Sequence, residues 1–581
     1  MTAFLGVEAS ATGRRWIGLS GEQDRQAEAI AQEAGLPGPL SRTLARLGVL
    51  PADATEYLSP TLRDLMPDPS IFRDMDAAAD RLVRAAKGRE RVAVFADYDV
   101  DGGASAALLV AWFRGHGAEP TVYVPDRIDE GYGPNAPAMR DLAAHHSLIV
   151  CVDCGTLSHD ALAAVDRADV IVLDHHLGGE TLPPAVALVN PNRQDEDTPF
   201  TYLCAAGVVF LCLVASNRVA RKAGLAEVPL IPMLDLVSLA TVADVAPLKG
   251  LNRALVRQGL AVMARRARPG LAALSDAARL TSAPAAYHLG FVLGPRINAG
   301  GRIGQADLGA RLLSTLDPAE AEALAERLSA LNDERREVET QVRLQAMDQA
   351  EARGTDAPLV WAAAPGWHPG VVGIVASRLK EATNRPAIVI GLEDGEGKGS
   401  GRSVTGIDLG AAIATCTREG LLLKGGGHKM AAGLTVEEAK LEPAMARLSE
   451  LLEKQGAGQL GPKDLSLDGI VQPRGASVEL IEQLESAGPF GAGAPAPRFA
   501  LPAQRITFAK RAGESHLRLT VADDSGAKLD AICFQAFDGP LGPMLENHAG
   551  ARIHLAGRLE IDDWGGRRKP KLRLEDAAIA T

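Results

Sequence analysis

Between Arg91 and Val189 the chain alternates short apolar runs with longer amphipathic ones. Val92–Ala96, Thr121–Val124, Leu148–Val152, Val170–Leu173 and Val186–Val189 read as strands; Ala104–Arg114, Ala136–Ala144 and His159–Asp166 read as helices. Strands separated by helices of about ten residues imply right-handed crossovers and a parallel sheet. Helical patterns follow over Ala205–Gly224, Leu230–Ala243 and Leu251–Arg266. Ala319–Arg353 has no Gly or Pro and is rich in Ala, Glu, Arg and Leu, which suits a rigid connector helix. A second α/β unit spans Pro358–Lys454, with strands Leu359–Ala362 and Ala387–Ile390 and a helix Val371–Lys380. Gly456–Gly461 reads as a hinge, Val478–Ser486 as a helix and Gly488–Pro497 as a turn. Five short strands close the chain: Gln504–Ala509, His516–Asp523, Lys528–Phe534, Arg552–Ile561 and Pro570–Glu575. That number suits an OB-type barrel, and another small barrel fits it equally.

The fold class expected is therefore α/β: a parallel-sheet domain and a second α/β domain joined by a long helix, with a C-terminal β-barrel. The corresponding ranges are 1–60 (a helical segment), 61–318, 319–355, 356–456 and 457–581.

Composition narrows the class. With 581 residues and 46% hydrophobic content the chain can bury several cores, and at 4% aromatic those cores must be largely aliphatic. No stretch reaches the ~18 apolar residues of a membrane span. Met1–Trp16 lacks the apolar core of a signal peptide, so a cytoplasmic protein without a membrane partner is expected. The six cysteines are scattered. Cys151 and Cys154 form a C-x-x-C with no second pair at zinc spacing, and packing explains them better than metal or redox chemistry. A net charge of −12 does not announce a nucleic-acid binder, but local clusters matter more than the sum.

The chemistry sits at strand ends. Asp97, Asp99 and Asp101 follow Val92–Ala96; Asp153 follows Val150–Val152; Asp174, His175 and His176 follow Val170–Leu173. Ligands bind open α/β sheets at the carboxyl ends of strands. Asp99 and Asp101, two residues apart on an extended tip, would face the same side. Asp153 is placed to bridge two ions, His175 offers nitrogen, and Asp244 interrupts an otherwise apolar run. Oxygen ligands suit hard divalent cations, an added imidazole shifts the preference toward Mn2+ over Ca2+ or Mg2+, and two such ions can drive an in-line phosphoryl displacement. Any one of these acids alone is better explained as a solvated loop residue or helix cap; their joint placement is what points to cations. His145 and His146 end a helix without a preceding strand and are assigned no role.

At these residues the chain resembles the DHH phosphoesterases: Asp97-Tyr98-Asp99-Val100-Asp101-Gly102, Val152-Asp153-Cys154-Gly155, Asp174-His175-His176 and Thr241-Val242-Ala243-Asp244 match that superfamily's four motifs. Asp126–Gly133, Gly294–Arg302 and Gly425–Gly433 extend the resemblance to the bacterial RecJ exonuclease family, over roughly residues 60–575. The resemblance implies DHH, DHHA1-type and OB domains. It further implies two divalent cations, Mn2+ or Mg2+, on Asp99, Asp101, Asp153, His175 and Asp244, and a His176 that contacts the scissile phosphate beside Asp174. Asp97 would add a ligand or a hydrogen bond. Arg127, Arg296, Asn298, Arg302, His368, Ser400, Arg402, Gly426, Gly427 and His428 would contact substrate. Gly425–Gly427 would free amides to cradle phosphate, and Arg402 between two serines would clamp an anion. The implied activity is 5′-to-3′ hydrolysis of single-stranded DNA to mononucleotides, in repair and recombination. A single-strand-binding protein and recombination or helicase factors would be partners of a monomer. Near the C-terminus Trp564, Arg567, Arg568 and Lys569 combine a ring with a basic run that continues through Lys571 and Arg573, a recipe for single-strand binding. Ala494 stands where the family usually has Asn.

Two other readings compete: a DHH phosphoesterase for small substrates, against which the barrel argues, and a non-cutting scaffold, against which the complete ligand set argues.

Overall fold

The computed structural model describes residues 3–126, 130–459, 464–563 and 566–580. The chain forms two compact units: 61–460 with 491–493, and 1–60 together with 461–490 and 494–581. The expected hinge Gly456–Gly461 falls partly on 460–463, outside the described residues.

The first unit begins with a five-stranded parallel sheet. Its strands are β1 (Val92–Ala96), β2 (Thr121–Tyr123), β3 (Leu148–Val152), β4 (Asp169–Leu173) and β5 (Ala187–Val189), in the order β2-β1-β3-β4-β5. Every residue of β1 and β3 is buried, because helices cover both faces of the sheet. Val94, Val150 and Ile171 enter one apolar layer, while Phe95, Cys151 and Val172 enter the opposite one. Each fully buried side chain of this kind contributes about 1.5–3 kcal/mol. All six cysteines are buried free thiols, which supports packing as the role of Cys151 and Cys154.

Register decides what the sheet presents at its edge. Ala96 pairs with Val152, and Val152 pairs with Leu173. The next residues, Asp97, Asp153 and Asp174, therefore leave three adjacent strands at one level.

Helix α1 (Val100–Gly115) follows β1, and α2 (Ala205–Lys222), α3 (Leu234–Ala243) and α4 (Gly294–Ile303) complete the domain around it. Helix α5 (Pro318–Arg353) has 36 residues. Its Leu324, Leu328 and Leu331 enter the first domain's core, and Val342, Ala346 and Ala350 enter the next. One helix thus serves as a structural member of both.

The second domain is a mixed sheet flanked by α6 (Pro369–Thr383). Its strands are β6 (Val360–Pro365), β7 (Ala387–Glu393), β8 (Glu396–Arg402), β9 (Lys424–Gly427) and β10 (Ala431–Glu437), in the order β9-β10-β8-β7-β6. Only β6 and β7 run parallel. Gly425–Gly427, whose three glycines alone would suit a turn, lie on the edge strand β9, paired antiparallel with β10.

The other unit carries a barrel of β11 (Phe499–Ala512), β12 (His516–Ala522), β13 (Lys528–Cys533), β14 (Ile553–Asp562) and β15 (Lys569–Ile579). Pairing runs β11-β12-β13-β15-β14, and β14 returns to β11 to close it. Closure removes the exposed edges. The first 60 residues share this unit. Ile30, Leu40 and Leu44, from helices Gly21–Ala34 and Gly38–Arg46, lie in one core with Phe499, Leu517 and Leu555. Trp16–Ile17 pairs in parallel with Leu465–Ser466, and the Trp16 indole donates to buried Asp576 at 2.9 Å. Among the described residues no helix is long and apolar enough to cross a membrane.

Candidate metal centre

The acids that follow β1 are not on an extended tip. Asp99 is the N-cap of α1; its Oδ1 accepts the amides of Asp101 and Gly102 at 2.8 and 3.1 Å. Asp is a preferred N-cap because its carboxylate satisfies amides that lack a partner in the helix. Asp101 lies in the first turn, and its two oxygens accept Ala205 and Ala206 amides at 2.6 and 2.8 Å. One helix start thus presents Asp99 and Asp101, and a second helix start orients Asp101. Gly102 is required here, since a Cβ would come within 2.3 Å of the Asp97 carbonyl oxygen.

Asp153 adopts a left-handed φ of 60°, at the end of a fully extended strand. For a residue with a Cβ this conformation costs about 1–2 kcal/mol. Its Oδ1 is buried and accepts no hydrogen bond, while His175 Nε2 stands 3.2 Å away. His175 Nε2 is also 3.7 Å from Asp101, and its Nδ1 is 3.9 Å from Asp244, the C-cap of α3.

Three overlapping groups have ligand atoms within 4.8 Å of one another: Asp153, His175 and His176; Asp101, His175 and Asp244; Asp97, Asp99 and Asp153. Asp153 and His175 each belong to two of them. Burial, then the charges of Asp101, Asp99, Asp97 and Asp244, push the Asp153 carboxyl well above its ordinary range. Burial and then Asp101 push Asp244 up to about 9. A cluster of acids that resist ionising together, with an orphaned carboxylate oxygen at its centre, fits divalent cations.

His176 differs from His175. Burial lowers its basicity, but the hydrogen bond to Asp174 at 2.8 Å and the Asp174 charge outweigh this and raise it to about 9. Asp174 opposes its own burial through the same bond and is held below the ordinary carboxylate range. His176 is thus tied to Asp174, while His175 faces Asp101 and Asp153.

The expected substrate-side residues divide. Asn298 Oδ1 accepts the Val100 amide at 3.0 Å, and His368 Nδ1 caps α6 at the Gly370 amide, so both hold backbone. Arg296 donates to the Val292 carbonyl and Arg302 to the Gly370 carbonyl. Arg302, Lys398, Ser400, Lys424, Gly425 and Gly426 line a groove of about 450 Å³. Arg402 donates to the Gly401 carbonyl at 2.9 Å, and the amide of His428 donates to the Ala431 carbonyl at 2.8 Å. Gly427 has φ 145°, and a Cβ there would meet the Ala431 carbonyl at 2.5 Å. Arg127 and Trp564 lie outside the described residues. The basic run of the barrel faces acids: Arg568 meets Glu482 at 2.6 Å, Lys571 meets Asp562 at 3.2 Å and Arg573 meets Glu560 at 3.5 Å. Arg567 and Lys569 are exposed.

Family models match three parts of the chain: the DHH family N-terminal domain over 91–241, the DHHA1 domain over 356–454 and the RecJ OB domain over 467–576. The single-stranded-DNA-specific exonuclease RecJ of Dickeya dadantii (strain 3937) is 39% identical over 575 residues, covering 93% of this chain and 96% of that protein. The chain belongs to the RecJ family. The crystal structure of RecJ from Thermus thermophilus with Mn2+ superposes with a TM-score of 0.80 at 30% identity, covering 97% of this chain and 79% of that one. The same organism's RecJ with Mg2+ gives 0.74 at 29% identity, covering 97% and 78%.

Some residues of this RecJ-family site escape a reading of strand ends. The Tyr132 hydroxyl donates to the Asp153 carbonyl at 3.2 Å and stands 3.3 Å from a His176 ring nitrogen. Its flanking glycines, Gly131 and Gly133, were the available signal. Lys398 and Lys424 join the groove from β8 and β9, a placement visible only once those segments are known to be strands.

Proposed function

We propose that this RecJ-family chain is a 5′-to-3′ exonuclease that hydrolyses single-stranded DNA to 5′-mononucleotides with two divalent cations, in DNA repair and recombination. The convergence of Asp97, Asp99, Asp101, Asp153, His175 and Asp244 carries the reading. Asp101, His175 and Asp244 would hold one cation and Asp97, Asp99 and Asp153 the other. Bound there, Mn2+ or Mg2+ would activate water and offset charge developing on the phosphate.

The chain's own residues supply the rest. His176, its Nδ1 backed by Asp174, donates from Nε2 to a phosphate oxygen; as water adds to phosphorus the P–O3′ bond breaks, and the proton that water loses passes through solvent to the departing O3′. Lys398, Lys424 and Arg302 give the groove a positive lining that suits a backbone phosphate, beside Ser400 and the glycines of β9. The RecJ OB domain supplies a second surface for the strand.

Digestion of end-labelled single and double strands with Mn2+, Mg2+ or chelator tests polarity, strand preference and cofactor together. The expected result is metal-dependent mononucleotide release from the 5′ end of single strands. Full activity of Asp153→Asn would overturn the site assignment.

A further inference from the structure

Strand β5 delivers no acid to the metal centre, yet it ends in Asn190-Pro191-Asn192 directly behind the two histidines. Asn190 is fully buried. Its Nδ2 donates twice, to Thr156 Oγ1 and to the His176 carbonyl, both at 2.8 Å. Its Oδ1 accepts the Asn192 amide at 2.8 Å. Asn192 Nδ2 in turn donates to the His175 carbonyl at 2.6 Å.

We infer that Asn190 and Thr156 are positioning residues for His176, through a hydrogen-bond relay that fixes which way its imidazole points. The inference rests on the nuclease reading above. Because Asn190 donates to Thr156 Oγ1, the hydroxyl proton is directed to Asp174 Oδ2, 2.6 Å away. The Thr156 amide reaches the same oxygen at 3.1 Å. Asp174 Oδ1 takes the His175 and His176 amides at 2.7 and 3.2 Å, and the His176 Nδ1 at 2.8 Å. A carboxylate so surrounded by donors stays an acceptor, so the proton on Nδ1 is held, and Nε2, 3.3 Å from the Tyr132 hydroxyl, is the ring nitrogen that remains to meet substrate.

Only an amide satisfies this arrangement. Aspartate at 190 could not donate, and would take the Thr156 proton away from Asp174. The relay also separates the two histidines, which are neighbours in sequence with ring centroids 4.6 Å apart. His175 turns toward Asp101 and Asp153, while His176 is tied to Asp174. Side-chain amides of the β5 turn clamp both backbone carbonyls. Displacing a reacting group by about 1 Å reduces rates by about a hundredfold, which gives such a clamp its value.

The test compares Thr156→Val, Thr156→Ser and Asn190→Asp with the unaltered full-length protein. Three quantities are read: kcat and KM on a 5′-labelled single strand with Mn2+, calorimetric Mn2+ affinity, and the imidazole N–H resonance of His176 in metal-free, 15N-histidine-labelled protein. Thr156→Val should lower kcat roughly 10- to 100-fold, leave KM and Mn2+ affinity unchanged and remove the resonance. Thr156→Ser should restore all of them. Asn190→Asp should resemble Thr156→Val; if it does not fold, the Val and Ser pair decides alone. Wild-type kcat in Thr156→Val, or a loss of Mn2+ affinity matching the loss of kcat, overturns the relay. An unaltered protein that cuts nothing would instead sink the nuclease reading, while the resonance and the titration still report on the relay.

Discussion

Asn298 and Val100 are 198 positions apart in sequence, yet the Asn298 side-chain oxygen accepts the Val100 amide at 3.0 Å. Val100 lies between Asp99 and Asp101, so α4 pins the helix start that presents both acids. Asn298→Ala leaves that buried amide unpaired, which costs about 1–3 kcal/mol. Mn2+ affinity should fall roughly 10- to 100-fold, with the apo protein still folded. Titration calorimetry checks this; unchanged affinity would give Asn298 a role toward substrate instead.

The metal-free protein should lose stability as pH rises. Asp153 and Asp244 have carboxyls raised above their unfolded values, Asp244 to about 9, so the folded state holds protons that the unfolded state releases near pH 4. Raised groups stabilise fully below the unfolded pKa, and that contribution is lost as pH climbs toward the folded one. His176, raised to about 9, acts in the same direction between its ordinary value and that pH. Each such group removes at most about 1.4 kcal/mol per pH unit in its window. Thermal unfolding in chelator should show Tm falling from pH 5 to pH 9, and saturating Mn2+ should flatten the slope.

Val245 holds φ 59° immediately after Asp244. The Ala246 amide donates to the Thr241 carbonyl, the closure of a helix end that usually places glycine at this position. Val245 is 69% exposed, so few contacts offset the strain. Val245→Gly should stabilise the protein by about 1 kcal/mol, read as a shift in denaturant midpoint.

Trp16→Phe keeps most of the buried ring and removes the only hydrogen that its indole gives to Asp576. The unit containing the barrel should lose about 1–3 kcal/mol. Denaturant unfolding should show its transition move while Mn2+ affinity stays constant.

Much of the centre is legible in the sequence because β-α alternation dictates where strand ends fall. Asp97, Asp153 and Asp174 emerge level, as successive parallel strands require. The extended tip expected for Asp99 and Asp101 is instead a helix start, because an Asp after a strand can serve equally as the cap of the next helix. Gly425–Gly427 resembles a turn because glycine carries no strand signal of its own; pairing with β10 decides its state. Asn190-Pro191 has the sequence of an ordinary turn, and its burial is a tertiary fact. The pairing of Trp16 with Leu465 leaves no local trace at all.

That last pairing has a consequence for biosynthesis. The opening 60 residues belong to a unit whose remaining strands are translated only after residue 460. At elongation rates of about 5–20 residues per second the delay is on the order of 20–80 s, during which Ile30, Leu40 and Leu44 emerge from the ribosome without their barrel. Chaperone capture of the nascent amino terminus, and aggregation when translation stalls midway, are the expected signatures of a chain whose beginning must wait for its end.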